Sequence, residues 1–267
     1  MKRAALRWLL VCAALYGGLA VIARLLAGRA LYHPEVASGR APDGAQKIPG
    51  ADGSEVVVLH LPNAQARFTI WLLHGNAEDL GDLAPGLRAW RDAGFAVFAH
   101  DYPGYGRSSG KPSEASLYAS ARVARTYLRD QLKVPAAQTI LYGRSLGGGP
   151  AVQLATEERV AGLVLQSAFT SVYRVLTQRR VLPGDFFENE RKLPSVTCPV
   201  LVMHGREDEV IPFAHGEALF AAVVGPKRAL WVPGAAHNDF VEVAGDRYWD
   251  ALREFAESCG RAPRVSP

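Results

Sequence analysis

Hydrophobic positions in this chain follow two different patterns. The first is one unbroken run, "WLLVCAALYGGLAVIA", from Trp8 to Ala23, continued past Arg24 by "LLAG" to Gly28. Lys2, Arg3 and Arg7 precede it. A run of this kind has the roughly 20 residues that cross a bilayer. Three readings fit it: an uncleaved signal-anchor helix, a cleaved signal peptide with "VIA" before Arg24 as the cut site, or a buried core helix. The first is adopted, as a membrane anchor within residues 1–30 whose helix covers about 8–28. Arg24 lies near the end of the run, where its long side chain can reach the headgroups. Basic residues ahead of the run favour a cytoplasmic N-terminus and place the rest of the chain on the extracytoplasmic side. Arg24 and Arg29 behind it reduce that asymmetry.

The second pattern is an alternation of short apolar runs with helical spacing. After a Pro- and Gly-rich lead-in from Pro34 to Gly53, with an edge strand at Gln46 to Ile48, "EVVVLHL" and "FTIWLLH" read as strands divided by the turn "PNAQAR". Helical spacing covers Leu80 to Ala93, and "GFAVFAHD" is a continuous apolar strand. A helix spans Ser113 to Leu132, with Ser113 as its N-cap behind Pro112. Strand "QTILYG", helix Leu146 to Glu158 and strand "VAGLVLQSA" follow, then a less regular stretch from Phe169 to Ser195. Strand "PVLVMHG", helix Pro212 to Val224, strand "RALWVPG" and helix Tyr248 to Cys259 complete the series. Strands apolar on both faces, alternating with helices, predict an α/β fold: a mostly parallel central sheet with helices on both faces. Residues 31–267 read as one domain without internal repeats.

Composition narrows the function classes. The chain has 267 residues, 49% of them hydrophobic, enough for a substantial core, and a formal net charge of only +4. The basic residues are scattered, with no polybasic arm and no basic stripe interleaved with aromatics, so no nucleic-acid partner is expected. Cys12, Cys198 and Cys259 lack the spacing of a metal or redox motif. Cys198 and Cys259 are read as idle or buried thiols, with a disulfide between them as the alternative.

The candidate chemistry centres on "LYGRSLGGGP", Leu141 to Pro150. Ser145 follows an apolar strand and opens a helix, the context a G-x-S-x-G nucleophile turn requires. A serine hydroxyl needs a histidine base, and the base needs a carboxylate that orients it. "VPGAAHNDF" places His237 in a small-residue loop after a strand, and "LVMHGREDEVIP" places Asp208 past another strand end, flanked by the rival carboxylates Glu207 and Glu209. The backbone N–H of Leu146 is one candidate oxyanion donor. That of Asn76, in "WLLHGNAED", is the second, with Ala77 as its alternative. His74 is read as structural, since no second ligand stands at metal spacing; no metal and no cofactor are expected. Asp101 precedes Ser145 in the chain and is read as a residue that braces its loop.

With these pieces in view the chain resembles the alpha/beta-hydrolases. "HGNAED", "DYPGYGRSSG", "YGRSLGGGPA", "HGREDEVIP" and "GAAHNDF" carry the resemblance from about Leu31 to Cys259. Within that superfamily it is similar to a membrane-anchored group that includes fungal polarity-related proteins and mammalian hydrolases that remove palmitate from proteins. That group shares an N-terminal anchor followed by a motif like "LYHPE", here Leu31 to Glu35. The resemblance implies a Ser-Asp-His triad, a backbone oxyanion hole and no cofactor. The cysteine-rich N-terminus of the depalmitoylating members is missing; Cys12 stands alone within the apolar run.

The stretch between Ala168 and Pro194 is expected to form a short cap, about 169–195, a shallow apolar roof. Phe169, Tyr173, Phe186 and Phe187 are its candidate substrate-binding residues, with Val175 and Leu176 beside them; Arg174, Arg179 and Arg180 are candidates for meeting an anionic headgroup. Plain packing over the core is the competing reading of these side chains. The expected function is a serine hydrolase cleaving carboxylic esters or thioesters, with a small-molecule or lipid-like acyl substrate and the membrane as partners. The alternatives are a peptidase-type amidase on the same fold and a catalytically idle hydrolase fold used for binding.

Overall fold

The computed structural model describes residues 2–261 apart from 52, 178, 180 and 181. Arg180, a candidate headgroup contact, therefore lies outside the described residues. In chain order the structure runs α1 (Lys2–Ala30), β1 (Gln46–Pro49), β2 (Glu55–Leu61), β3 (Thr69–Leu73), α2 (Leu80–Asp92), β4 (Ala96–His100), α3 (Glu114–Asp130), β5 (Thr139–Arg144), α4 (Gly148–Glu157) and β6 (Gly162–Gln166). It continues with α5 (Val172–Thr177), α6 (Asn189–Lys192), β7 (Val200–Gly205), α7 (Ala214–Ala222), β8 (Lys227–Val232), α8 (Phe240–Ala244) and α9 (Asp246–Arg261).

The eight strands form one sheet in the order β1-β2-β4-β3-β5-β6-β7-β8. The β1–β2 and β2–β4 pairings are antiparallel, and every pairing from β4 through β8 is parallel. The turn between β2 and β3 makes no hairpin: β4 inserts between them, pairing with both. Strands β3, β4, β5, β6 and β7 carry almost only buried residues, because helices cover both of their faces. One core layer joins Trp71, Phe98, Leu141 and Val152; the layer on the opposite face joins Ile70, Trp90, Tyr142 and Phe255.

Helix starts follow local capping. Ser113 accepts from the Ser116 N–H at 3.0 Å while Ser116 Oγ accepts from the Ser113 N–H at 2.8 Å, a reciprocal cap at the head of α3. Asp79 caps α2 through the Asp82 N–H at 3.0 Å. Two helices begin later than the apolar spacing suggests. After Ser145 the chain first makes a 3₁₀ turn over Ser145–Gly147 before α4 begins. Helix α7 starts at Ala214, after a turn in which the His215 N–H reaches the Pro212 carbonyl.

Helix α1 stands out of the core. Its segment Ala5–Gly28 has a mean hydropathy of 2.2 and is long and apolar enough to cross a membrane, yet only 6% of its most apolar stretch is buried. The alternative of a buried core helix does not hold. Toward its C-terminal end the helix meets the globular part, where Ala20 is buried. There Arg24 donates to the Gly184 carbonyl and lies over the Phe186 ring, 4.4 Å from its centroid. Cys12, Cys198 and Cys259 are free thiols, so Cys198 and Cys259 form no disulfide.

Candidate active site

Every candidate site residue except those of the cap lies at a strand's C-terminal end, because parallel strands bring their following loops to the same edge of the sheet. Strand β5 stops at Arg144, and Ser145 adopts φ 51°, a left-handed conformation that costs a non-glycine residue roughly 1–3 kcal/mol. Close packing on both sides holds that turn. A Cβ at position 143 would lie 2.7 Å from the Gly147 carbonyl and 2.8 Å from the Ala151 side chain. A Cβ at position 147 would fall on the Leu73 carbonyl at the end of β3 and 2.6 Å from that of His74. The neighbouring glycines serve other contacts: Gly148 faces the Ala168 side chain, and the Phe187 ring lies on Gly149.

The Ser145 Oγ lies 3.1 Å from His237 Nε2, and His237 Nδ1 lies 2.8 Å from Asp208 Oδ2. All three residues are buried, at 8%, 6% and 6% exposure for Ser145, His237 and Asp208. This geometry assigns the Nδ1–H tautomer to His237, leaving Nε2 to accept from the serine hydroxyl. The second oxygen of Asp208 accepts from the N–H groups of Val210 at 3.0 Å and Ile211 at 2.7 Å. Burial by itself would raise the Asp208 carboxyl. Hydrogen bonds from His204, His237 and the Ile211 amide, with the charge of His237, outweigh it and hold the group well below the ordinary carboxylate range.

The two flanking acids have other partners. Glu207 accepts from the Gly234 N–H at 2.6 Å, and Glu209 from the His237 N–H at 3.3 Å. Further stitching comes from the Arg206 N–H to the Val232 carbonyl at 3.0 Å and the Glu207 N–H to the Ala235 carbonyl at 3.1 Å. The acid loop and the histidine loop therefore form one unit, in which Asp208 is the acid that reaches the imidazole ring.

Asn76 and Leu146 lie beside Ser145 in the wall of one pocket. Asn76 is fixed by its side chain, which donates to the Leu31 carbonyl at 2.7 Å and accepts from the His33 N–H at 3.0 Å and from the Tyr105 hydroxyl. The "LYHPE" segment is thus tied to the loop that carries Asn76. Beneath this loop Glu78 accepts from the Gly75 N–H at 2.9 Å and pairs with Arg144, which also donates to Asn238 at 2.9 Å. Arg144 bridges the Asn76 loop to the residue after His237.

His74 is fully buried, its ring tilted by 32° against that of Tyr102 with centroids 4.1 Å apart, and its Nδ1 lies 2.8 Å from the Gly75 carbonyl. Burial pushes its pKa down to about 4, so it is a neutral ring in the packing. Asp101 accepts from the Leu80 N–H at 2.9 Å, and its carbonyl accepts from the Ser108 hydroxyl at 2.9 Å. Burial pushes its carboxyl up to about 8. No group of three or more His, Cys, Asp or Glu among the described residues is arranged to hold a metal ion.

The pocket above Ser145 has a volume of about 270 Å³, close to the lower end for small-molecule sites. Of the four cap aromatics, Phe169 lines it. Tyr173, Phe186 and Phe187 do not. Tyr173 packs edge-on against Phe186, Phe186 meets Arg24, and Phe187 fills the space over Gly149. Arg174 is paired with Glu190 rather than presented to a ligand. Val175 and Leu176 of α5, named with the cap aromatics, do line the pocket, and Val172 joins them. Their i, i+3, i+4 spacing was the available signal for them. The Val210 and Ile211 lining and the supporting roles of His204 and Arg144 had no local signature.

The fold and the position of this cluster define the class: the chain belongs to the alpha/beta-hydrolase superfamily. A family model described as "Serine aminopeptidase, S33" matches residues 64–182. The chain is 42% identical over 199 residues to the human alpha/beta hydrolase domain-containing protein 17B, covering 73% of this chain and 67% of that one. It is also 42% identical over 221 residues to the Caenorhabditis elegans alpha/beta hydrolase domain-containing protein aho-3, covering 79% of this chain and 63% of that one. The chain thus spans about two thirds of the length of these curated relatives. Among solved structures, the Pyrococcus furiosus esterase Pf2001 superposes with a TM-score of 0.68 at 17% identity, over 80% of this chain and 91% of that one. The Paleococcus ferrophilus monoacylglycerol lipase gives 0.62 at 19% identity, over 77% and 99%. At these identities the two structures establish the shared fold.

Proposed function

We propose that the protein is a serine hydrolase that cleaves esters or thioesters of acyl chains, held at a membrane by α1. The observation that carries this reading is the relay Ser145–His237–Asp208, with contacts of 3.1 and 2.8 Å, at the floor of an apolar pocket. His237 Nε2 takes the Ser145 proton as Oγ attacks the carbonyl carbon. Asp208 holds the Nδ1–H tautomer and stabilises the imidazolium that forms. The N–H groups of Leu146 and Asn76 receive the oxyanion; one such donor contributes roughly 2.7–4 kcal/mol to the barrier. Collapse of the tetrahedral intermediate expels the alcohol or thiol with the proton from His237. Water, deprotonated by the same ring, then releases the acid. Basic Lys2, Arg3 and Arg7, ahead of the apolar run of α1, favour a catalytic domain on the extracytoplasmic side.

The family description favours a second reading, amide cleavage. Among the described residues no acidic side chain lines the pocket to receive an α-amine, and the apolar lining supports the acyl ester instead. Labelling with a fluorophosphonate probe, followed by rates on p-nitrophenyl esters, acyl thioesters and aminoacyl amides, tests both. The expected result is labelling that Ser145→Ala abolishes, with ester and thioester turnover far above amide turnover. Folded protein that neither labels nor turns over any of the three would leave a binding role for this fold.

A further inference from the structure

Helix α1 ends inside the candidate active site. Ala27, Ala30 and Leu31 line the same pocket as Ser145, together with Val175 and Leu176 of α5. The large apolar side chains before it face outward, with Ile22 at 56%, Leu25 at 62% and Leu26 at 60% exposure. The contact is fixed rather than incidental. Arg24 donates to the Gly184 carbonyl and covers Phe186, and Gly28 passes the same ring closely enough that a Cβ there would lie 3.5 Å from it.

Bilayer dimensions place this contact. The apolar run opens at Trp8, after Arg7, and about 20 helical residues cross the hydrocarbon core, which brings its far edge to about Ala27. Arg24 lies one turn short of that edge, within reach of the headgroups for a guanidinium on a long stem. At 1.5 Å per residue, Ala30 stands roughly 4–5 Å beyond the edge, within a headgroup layer about 5–8 Å deep. The pocket rim continues the apolar surface outward, with Leu176 89% and Val210 46% exposed. An apolar pocket whose wall is the emerging anchor, and whose rim is bare aliphatic surface at headgroup depth, fits one occupant: an acyl chain entering from the bilayer surface.

We infer that the last turn of the anchor helix is a wall of the acyl pocket, and that the small side chains of Ala27 and Ala30 determine how long an acyl chain the site accepts. This rests on the hydrolase reading above. Nothing in the catalytic cluster requires it: a tether that only held the enzyme near a membrane would leave chain-length preference untouched by residue 27.

The experiment uses the full chain in phosphatidylcholine nanodiscs and p-nitrophenyl esters from acetate to palmitate. The reading is the ratio of kcat/KM for the laurate and palmitate esters to that for acetate. Ala27→Phe and Ala30→Phe are expected to lower the ratio by tenfold or more, and the smaller Ala27→Val by a few-fold. Leu26→Phe, on the outward side of the same turn, is expected to leave it unchanged. A ratio within twofold of wild type for Ala27→Phe, or for Ala27→Val should the larger variant fail to label with a fluorophosphonate, overturns the inference. So does an equal fall in Leu26→Phe. Acetate turnover that persists in Ser145→Ala would instead overturn the hydrolase reading, whatever the ratio.

Discussion

Replacing Gly147 by alanine tests how the nucleophile turn is held. The new Cβ would stand 2.6 Å from the His74 carbonyl oxygen and closer still to that of Leu73. Carbon–oxygen contacts settle at about 3.3–3.6 Å, so clearing the His74 oxygen needs roughly 0.7–1 Å and clearing the nearer Leu73 oxygen needs more than about 1 Å of separation between the Ser145 turn and the β3 end. Neither side can yield by a rotamer change, since both are backbone. The loop beyond β3 carries Gly75 and Asn76, so separation carries the Asn76 N–H away from Ser145 and from the proposed oxyanion position. A misplacement of about 1 Å costs on the order of 10²-fold in rate, and loss of one oxyanion donor 10²–10³-fold. Overpacking adds about 1–3 kcal/mol of destabilisation, at about 2–4 °C in Tm per kcal/mol for a domain of this size. Gly147→Ala is therefore expected to lower kcat on a short ester by 10²–10³-fold with a smaller change in KM, and to lower Tm measurably. Gly86→Ala provides the opposite sign. Gly86 lies within α2 with nothing within 4 Å of its Cβ position, so alanine there should stabilise by roughly 0.5–1 kcal/mol and leave turnover unchanged. Gly147→Ala with wild-type kcat and Tm would refute the account of the turn.

Asp208→Asn should cost about 10⁴-fold in kcat, because an amide facing the ring removes the anion that stabilises the imidazolium and disturbs its tautomer; steady-state ester kinetics measure it. Asn76→Ala removes the partners of the Leu31 carbonyl, the His33 N–H and the Tyr105 hydroxyl, and should destabilise by about 2–4 kcal/mol in denaturant titrations. Burial holds His74 at about 4, His100 at about 3 and His215 at about 4, below their unfolded values, so the stability they support is present at pH 7 and lost as pH falls from about 6.5 through 4. Asp101, raised by burial to about 8, acts in the opposite sense, losing stability as pH rises from about 4 through 8. Three protons against one leave a net difference of about two near pH 5, at about 1.4 kcal/mol per pH unit each, so Tm should fall on acidification from pH 7 to 4. Asp101→Asn keeps the acceptor for the Leu80 N–H and should raise Tm relative to wild type most at pH 8, as thermal melts across pH will show.

Strand and helix identity was legible in the sequence because it is local. Five consecutive apolar residues such as "TIWLL" bury on both faces wherever they are placed, and Ser113 caps α3 through groups three residues away. The order Ser145, Asp208, His237 was legible for a related reason: a parallel sheet fixes which strand ends reach its reactive edge. Spacing alone, however, could not choose among Glu207, Asp208 and Glu209, which are adjacent in the chain. Hydrogen bonds from Gly234 and from the His237 amide occupy the two glutamates, and those partners lie 27 and 28 residues away. The cap aromatics are a similar case. Hydrophobicity marked Tyr173, Phe186 and Phe187 for burial, but a buried ring can line a pocket or fill a core equally well. Arg24 and Gly149, distant in sequence, draw Phe186 and Phe187 away from Ser145. The sequence by itself determined which residues are apolar, which segments form strands and which form helices, and that a serine, an acid and a histidine share one sheet edge. Tertiary structure decided which acid meets the ring, which glycine admits which neighbour, and that α1 closes one side of the pocket, because contacts between distant segments are set by how the layers pack and not by any local spacing.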